Sequence, residues 1–268
     1  MKTVLITGAA GVVAGYIREQ LRGRYVLRLS DIRPITNLGD NERFVSADVR
    51  DMSQLLAAVQ GVDAIIHLGA IPVEDDWEPI LQANIVGTYN LYEAARQAGV
   101  PRVIFASSNH AVGFYRREQT IPVNVTVQPD SRYGLSKAFG EAVASLYANK
   151  YGVQSLCIRI GNVWPEPADR RRLSIWLSPR DLGQLVTIGI EHPDIKFEIV
   201  YGMSDNKRAW WDNTNAARLG YKPQDRSEDY AEAVLARTAP PSDSLAEQMQ
   251  GGDFVAAEKG GDPNKAPA

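Results

Sequence analysis

The chain has 268 residues, of which 44% are hydrophobic, and it carries 29 basic and 32 acidic side chains for a formal net charge of −3. That is enough apolar content for one sizeable core, while a small charge without long like-charged runs excludes a basic footprint for nucleic acid or an anionic membrane surface. No stretch approaches the ~20 apolar residues of a membrane span, and a single cysteine, Cys157, rules out a disulfide within the chain and points to a reducing, cytoplasmic setting.

Residues 4–7 read as a strand, not as a signal peptide. They run directly into Gly8-Ala9-Ala10-Gly11-Val12-Val13-Ala14 and a helical pattern over residues 16–21. In this strand, tight turn and helix, Gly8 and Gly11 let the backbone approach a pyrophosphate, which free amides and the positive end of the helix would hold. Ala14 serves as the third small position, where close helix packing is the requirement. The next strand, residues 25–30, ends at Asp31, placed where a dinucleotide fold sets a carboxylate on the adenosine ribose and repels a 2′-phosphate, so NAD is the expected cofactor. Arg33 could accommodate that phosphate, although a solvated arginine is the plainer explanation.

Residues 43–47 read as a third strand closing on Asp48 and Val49. Asp51 caps a helix over 52–60, and Asp48 could belong to the same turn. A strand over 63–67 enters the small-residue turn Leu68-Gly69-Ala70, with His67 a satisfied strand histidine and not a base. A long helical region follows over 76–98. The apolar run Val103-Ile104-Phe105-Ala106 then ends in Ser107-Ser108-Asn109, as a buried parallel strand would when it delivers polar groups to the sheet's C-terminal edge. Tyr133 and Lys137, four residues apart, fall on one face if Tyr133 opens a helix. A phenol titrates near ~10, so lowering it by about 3 units takes roughly 4 kcal/mol, which an ammonium about 4 Å away in a partly screened site can supply. Tyr133 is therefore read as a general base tuned by Lys137. Alone, Tyr-x-x-x-Lys is an ordinary surface pairing; the strand before it gives the pair a site.

Another apolar strand spans 154–160 and contains Cys157, read as a buried small hydrophobe. A loop over 161–165 follows, then the run Arg170-Arg171-Arg172, whose bland reading is a solvated face. Helix 178–191, strand 196–200 and helical segments after Trp210 and over 228–237 make a small C-terminal lobe. From Pro240 the chain is poor in large apolar groups and is expected to be extended or partly disordered, except that residues 250–255 can pin to the body through Phe254. No cluster of Cys, His or carboxylates has metal-ligand spacing, so no metal is expected.

Phe105-Ala106-Ser107-Ser108-Asn109-His110, residues 133–141, Arg159-Ile160-Gly161, Pro165-Glu166-Pro167 and Trp210-Trp211-Asp212-Asn213 together resemble the uronate dehydrogenases of the extended short-chain dehydrogenase/reductase superfamily, over most of residues 1–255. The resemblance implies an α/β fold: a Rossmann-type doubly wound parallel sheet with helices on both faces and a small C-terminal substrate lobe. In domain terms, residues 1–239 form one unit with the substrate elements mainly in 161–239. It implies Ser108, Tyr133 and Lys137 as the catalytic triad. The cofactor would lie along Gly8, Gly11, Val12, Val13, Asp31, Ile32, Asp48, Val49, Leu68, Gly69, Ala70, Tyr133, Lys137 and Ile160, with Asn84 among these as a structural support bridging backbone beside the catalytic helix. The substrate would meet Pro72, Ser108, Asn109, His110, Tyr133, Asn162 and Arg171, the last holding a carboxylate. Pro72 and Asn162 depart from the family, which shows serine at both places; Pro72 offers no amide donor.

The implied activity is NAD-dependent oxidation of a hexuronate at C1 to the aldarolactone by a cytoplasmic homo-oligomer. The rival readings are a dehydrogenase of a neutral aldose, a nucleotide-sugar epimerase or dehydratase, for which the C-terminal lobe is short, and an NAD-sensing regulator, which would have no use for a tuned phenol.

Overall fold

The computed structural model describes residues 1–239, 242 and 244–257. Seven strands make one sheet: β1 (Thr3–Thr7), β2 (Val26–Asp31), β3 (Glu42–Ser46), β4 (Ala64–His67), β5 (Arg102–Ser108), β6 (Gln154–Ile160) and, after the short β7 (Asn162–Val163) and β8 (Trp176–Leu177), β9 (Phe197–Gly202). Its order is β3-β2-β1-β4-β5-β6-β9, and every pair is parallel. The strand order reverses between β1 and β4, which is where doubly wound sheets open a ligand crevice.

The helices cover both faces, as near-continuous apolar strands require. On one side α1 (Val12–Leu21) brings Ile17 and Leu21, and α7 (Pro179–Glu191) brings Leu182, Leu185, Val186 and Ile190, onto Val4, Ile6, Leu27 and Leu156. On the other, α2 (Met52–Ala58), α4 (Gly87–Gln97) and α5 (Arg132–Tyr151) bury Leu55, Leu91, Tyr92, Val143 and Tyr147 against Leu5, Ile65, Val103 and Phe105. Caps set where the helices begin: Asp51 accepts from the amides of Ser53 and Gln54 before α2, as its position in the sequence predicts, and Ser178 accepts from Asp181 ahead of Pro179 in α7.

Three local expectations are corrected. The helix expected over 76–98 is built in three parts, α3 (Trp77–Ile80), a π-helical turn (Leu81–Val86) and α4; the wider turn carries Asn84, and such turns recur at functional sites. Residues 161–165 are not simply loop, because Asn162 and Val163 pair with Trp176 and Leu177 after α6 (Arg172–Ile175). The C-terminal lobe adds α8 (Thr214–Arg218), α9 (Ala231–Arg237) and α10 (Leu245–Gln248). Part of the stretch expected to be extended is therefore ordered: α10 and the following 3-10 turn Gly252–Val255 lie against the body, with Phe254 buried. Residues 240, 241, 243 and 258–268 of that stretch lie outside the described residues.

Candidate active site

The site starts at the end of β5. Val103, Ile104 and Phe105 are buried on both faces of the sheet, and β6 fixes the register opposite them, Ser107 beside Arg159 and Ser108 beside Ile160. Ser108 leaves the strand and its hydroxyl accepts from the His110 amide at 3.2 Å, turning the chain into Asn109 and His110. Helix α5 then presents Tyr133 and Lys137 from its first turns. Its start is held twice: Ser131 Oγ accepts from Gly134 N, and the buried carboxylate of Glu74 accepts from Tyr133 N at 3.0 Å and from Arg132 Nη1 at 2.8 Å. A carboxylate at a helix N-terminus also meets the positive end of the dipole.

A single cavity of about 1070 Å³ is lined by nearly every residue singled out in the sequence: the turn residues Gly8, Gly11, Val12 and Val13, then Asp31, Ile32, Asp48, Val49, Leu68, Gly69, Ala70 and Ile160, and with them Pro72, Ser108, Asn109, His110, Tyr133, Lys137, Asn162 and Arg171. Asn84 is not on its wall. The Asn84 amide is spent behind it, accepting from Ile71 N and donating to Ile71 O and Ser136 Oγ, so it braces the Ile71 segment against α5. His67 is likewise satisfied, between the hydroxyls of Thr7 and Thr88, and burial pulls its pKa down to about 3, which keeps it neutral.

The expected tuning of Tyr133 is corrected. Lys137 Nζ donates to Ala106 O at 2.8 Å and stands 5.5 Å from the Tyr133 ring centroid. Burial pushes the phenol up to about 12, against a smaller lowering by the Ser108 hydroxyl and a raising by the charge of Asp130. Burial also lowers Lys137 to about 8. Desolvation disfavours a phenolate and an ammonium alike, and the charge of Lys137 is not among the causes that set the Tyr133 phenol.

The Gly-rich half fits a dinucleotide. Gly8 has φ +66°, and a Cβ there would lie 2.7 Å from the carbonyl carbon of Leu68, so the turn packs backbone against backbone and leaves the open side free. Asp31 is buried on the cavity wall, its carboxylate accepting from Ala10 N at 3.0 Å and Arg33 N at 2.9 Å; the Arg33 side chain is 67% exposed, lines the same cavity and has Nε 3.6 Å from Asp31 Oδ1. Asp31 thus braces the turn from the cavity wall. Asp31→Ala is expected to weaken NAD binding and raise the relative kcat/KM with NADP; an unchanged NAD to NADP ratio would place Asp31 away from the ribose.

Around the other half of the cavity stand Asp130 and Asp253, which sequence reasoning passed over, and Phe254, which it gave only as the anchor of residues 250–255. Asp130 lies 2.7 Å from His110 Nδ1, Phe254 stacks on His110 with ring centroids 3.8 Å apart, and Asp253 shares the wall. Nothing local marks Asp130 or Glu74, since each acts on a residue 20 or 59 positions away. Two donors on this wall, Asn109 Nδ2 and Arg171 Nε, are buried and have no hydrogen-bond partner in the protein. Of the arginine run, Arg170 donates to the carbonyls of Leu235 and Thr238; Arg171 and Arg172 both line this cavity, Arg172 paired with Asp169 and Arg171 with Nη2 on Gln250 O at 2.7 Å. Burial, and then the charges of Arg172 and Arg117, lower its pKa to about 10.

A nucleotide-binding Rossmann sheet with a Ser-Tyr-Lys centre defines the class, and the comparisons agree with it. The model of the NAD dependent epimerase/dehydratase family matches residues 4–218, and the chain belongs to that family. It is 48% identical over 256 residues to a uronate dehydrogenase of Pseudomonas putida, covering 95% of this chain and 96% of that one. Among solved structures, a glucuronic acid dehydrogenase from Chromohalobacter salexigens superposes with a TM-score of 0.93 at 44% identity, covering 99% of both chains. A Tyr-to-Ala variant of a uronate dehydrogenase from Agrobacterium tumefaciens, complexed with NAD, has a TM-score of 0.93 at 42% identity, with 96% of this chain and 98% of that one covered.

Proposed function

We propose that the protein oxidises a hexuronate, glucuronate or galacturonate, at C1 to the aldarolactone, with NAD as cofactor. Arg171 carries this reading: a half-buried arginine in the same cavity as Tyr133, its Nε buried without a partner and with no carboxylate in salt-bridge contact among the described residues, fits a substrate that brings its own carboxylate. The turn at Gly8 and Gly11, Asp31 and the small-residue turn at Leu68–Ala70 would hold the dinucleotide. When bound, NAD would supply the hydride acceptor and, in its oxidised form, the positive charge that brings the buried phenol within reach of neutral pH. Tyr133 Oη takes the proton of the C1 hydroxyl, Ser108 Oγ holds the reacting oxygen, and Lys137, anchored on Ala106 O, keeps an ammonium beside the phenol. Asn109, His110, Asn162 and Arg171 orient the sugar. Positioning contributes much of the remaining rate.

The same reading takes the enzyme as a cytoplasmic homo-oligomer that binds no nucleic acid; the free Cys157 buried in β6 supports a reducing compartment, and size-exclusion chromatography tests the assembly. No described helix is long and apolar enough to cross a membrane.

The test of activity is NADH formation over a panel of uronates, neutral aldoses and nucleotide sugars. Turnover confined to the uronates is expected; a preference for the neutral sugar would move the assignment to an aldose dehydrogenase. Within that panel, a charge-assisted contact to the C6 carboxylate is worth roughly 1.5–3 kcal/mol, or about ten- to a hundredfold. Arg171→Ala is therefore expected to lower kcat/KM for glucuronate or galacturonate by that factor and to leave the poor rates on glucose and galactose nearly untouched. Equal losses on both classes would make Arg171 structural.

A further inference from the structure

We infer that Asp130 is a positioning residue for the sugar reaction: its carboxylate holds His110 with the proton on Nδ1, so that Nε2 is presented to the sugar half of the cavity as a hydrogen-bond acceptor. What Nε2 accepts from rests on the uronate reading; the state of the ring rests on geometry alone.

Asp130 Oδ2 lies 2.7 Å from His110 Nδ1, and Oδ1 accepts from Ser131 Oγ at 2.8 Å. An ionised carboxylate has only acceptor sites, so the ring nitrogen facing it must be the donor, and in a neutral imidazole the other nitrogen is then an acceptor. The Asp130 side chain is fully buried, and two separate segments give up side chains to admit it: a Cβ on Gly113 would fall 1.8 Å from Oδ2, and one on Gly251 2.0 Å. The contact is reinforced through the main chain, where Asp130 N donates to His110 O at 3.3 Å.

The ring is also clamped in plane. Phe254 stacks on it at 3.8 Å with 26° between the planes, and Tyr133 meets it edge-on at 5.8 Å. Nε2 differs from Nδ1 in having no protein partner among the described residues, while the ring itself lines the cavity. The charged and titratable groups on that wall are Glu78 of α3, Tyr133 and Lys137 of α5, Arg171 and Arg172 at the start of α6, and Asp253 of the C-terminal turn, with Asp130 behind the ring. In this setting an acceptor at Nε2 orients a sugar hydroxyl relative to the Tyr133 phenol. If Nδ1 were released, the imidazole could carry its proton on Nε2 and would meet the same hydroxyl with a donor.

The chain has three histidines, His67, His110 and His192, so nitrogen–proton correlation spectra of the full-length protein can resolve each ring. For neutral His110 the proton is expected on Nδ1. Asp130→Asn is expected to abolish that preference, to lower kcat/KM for glucuronate or galacturonate about ten- to a hundredfold, and to leave NAD affinity measured without sugar within about twofold of the parent. A wild-type ring carrying its proton on Nε2 would overturn the inference without any variant. So would a folded Asp130→Asn protein with wild-type kcat/KM. Wild-type protein that fails to oxidise any uronate would sink the uronate reading, and the tautomer of His110 would still decide the role of Asp130.

Discussion

Tyr133→Phe is expected to lower kcat/KM by about 10²–10⁴-fold, the range a general base contributes, while NAD affinity stays within about twofold of the parent. The substitution removes one oxygen and keeps the ring. That ring packs with Ile80 and Phe254 and borders His110, so the cavity wall is preserved and the loss falls on proton transfer. Lys137 Nζ is fixed on Ala106 O at 2.8 Å, so the variant leaves no phenol oxygen to take the substrate proton. Kinetics with saturating NAD and fluorescence titration of NAD check the two halves. Retention of more than a tenth of the parental rate would remove Tyr133 from the role of base.

The second large effect is on stability. Glu141 accepts from Arg159 Nε and Nη2 at 2.9 Å each, and from Ser107 Oγ at 2.6 Å, with the side chains of the ion pair 2% and 5% exposed. Burial disfavours the Arg159 cation, yet its hydrogen bonds and charge attraction to Glu141 outweigh burial and raise its pKa. Glu141→Ala leaves that guanidinium buried without its counter-charge, which costs about 3–5 kcal/mol and, for a domain of this size, roughly 6–20 °C in Tm. The double variant Glu141→Leu with Arg159→Met removes both charges and is expected to recover most of the loss. Calorimetry decides: a single variant melting within about 2 °C of the parent would show that the pair contributes little. Because Ser107 loses its acceptor next to Ser108, activity at permissive temperature is expected to fall as well.

Local signals determined most of the fold. Apolar runs bounded by turns placed the main strands of the sheet, since a strand buried on both faces must be apolar throughout. The glycine turn with its carboxylate downstream and the four-residue spacing of Tyr133 and Lys137 marked the site, because backbone approach and helix periodicity depend on residues close together in the chain. Asp51 was legible as a cap for the same reason. Only the tertiary structure decided what depends on distance in space. It set the phenol's pKa through burial, directed Lys137 to a strand carbonyl, sent Asn84 behind the wall, and brought Asp130 and Phe254 to His110. Arg170, Arg171 and Arg172 are equivalent in the sequence, yet Arg170 turns to the carbonyls of Leu235 and Thr238 while Arg171 and Arg172 reach the main cavity, and it is a segment far along the chain that supplies the Gln250 carbonyl holding Arg171 there. Desolvation and side-chain aim follow from the packing of remote segments, and no local pattern encodes them.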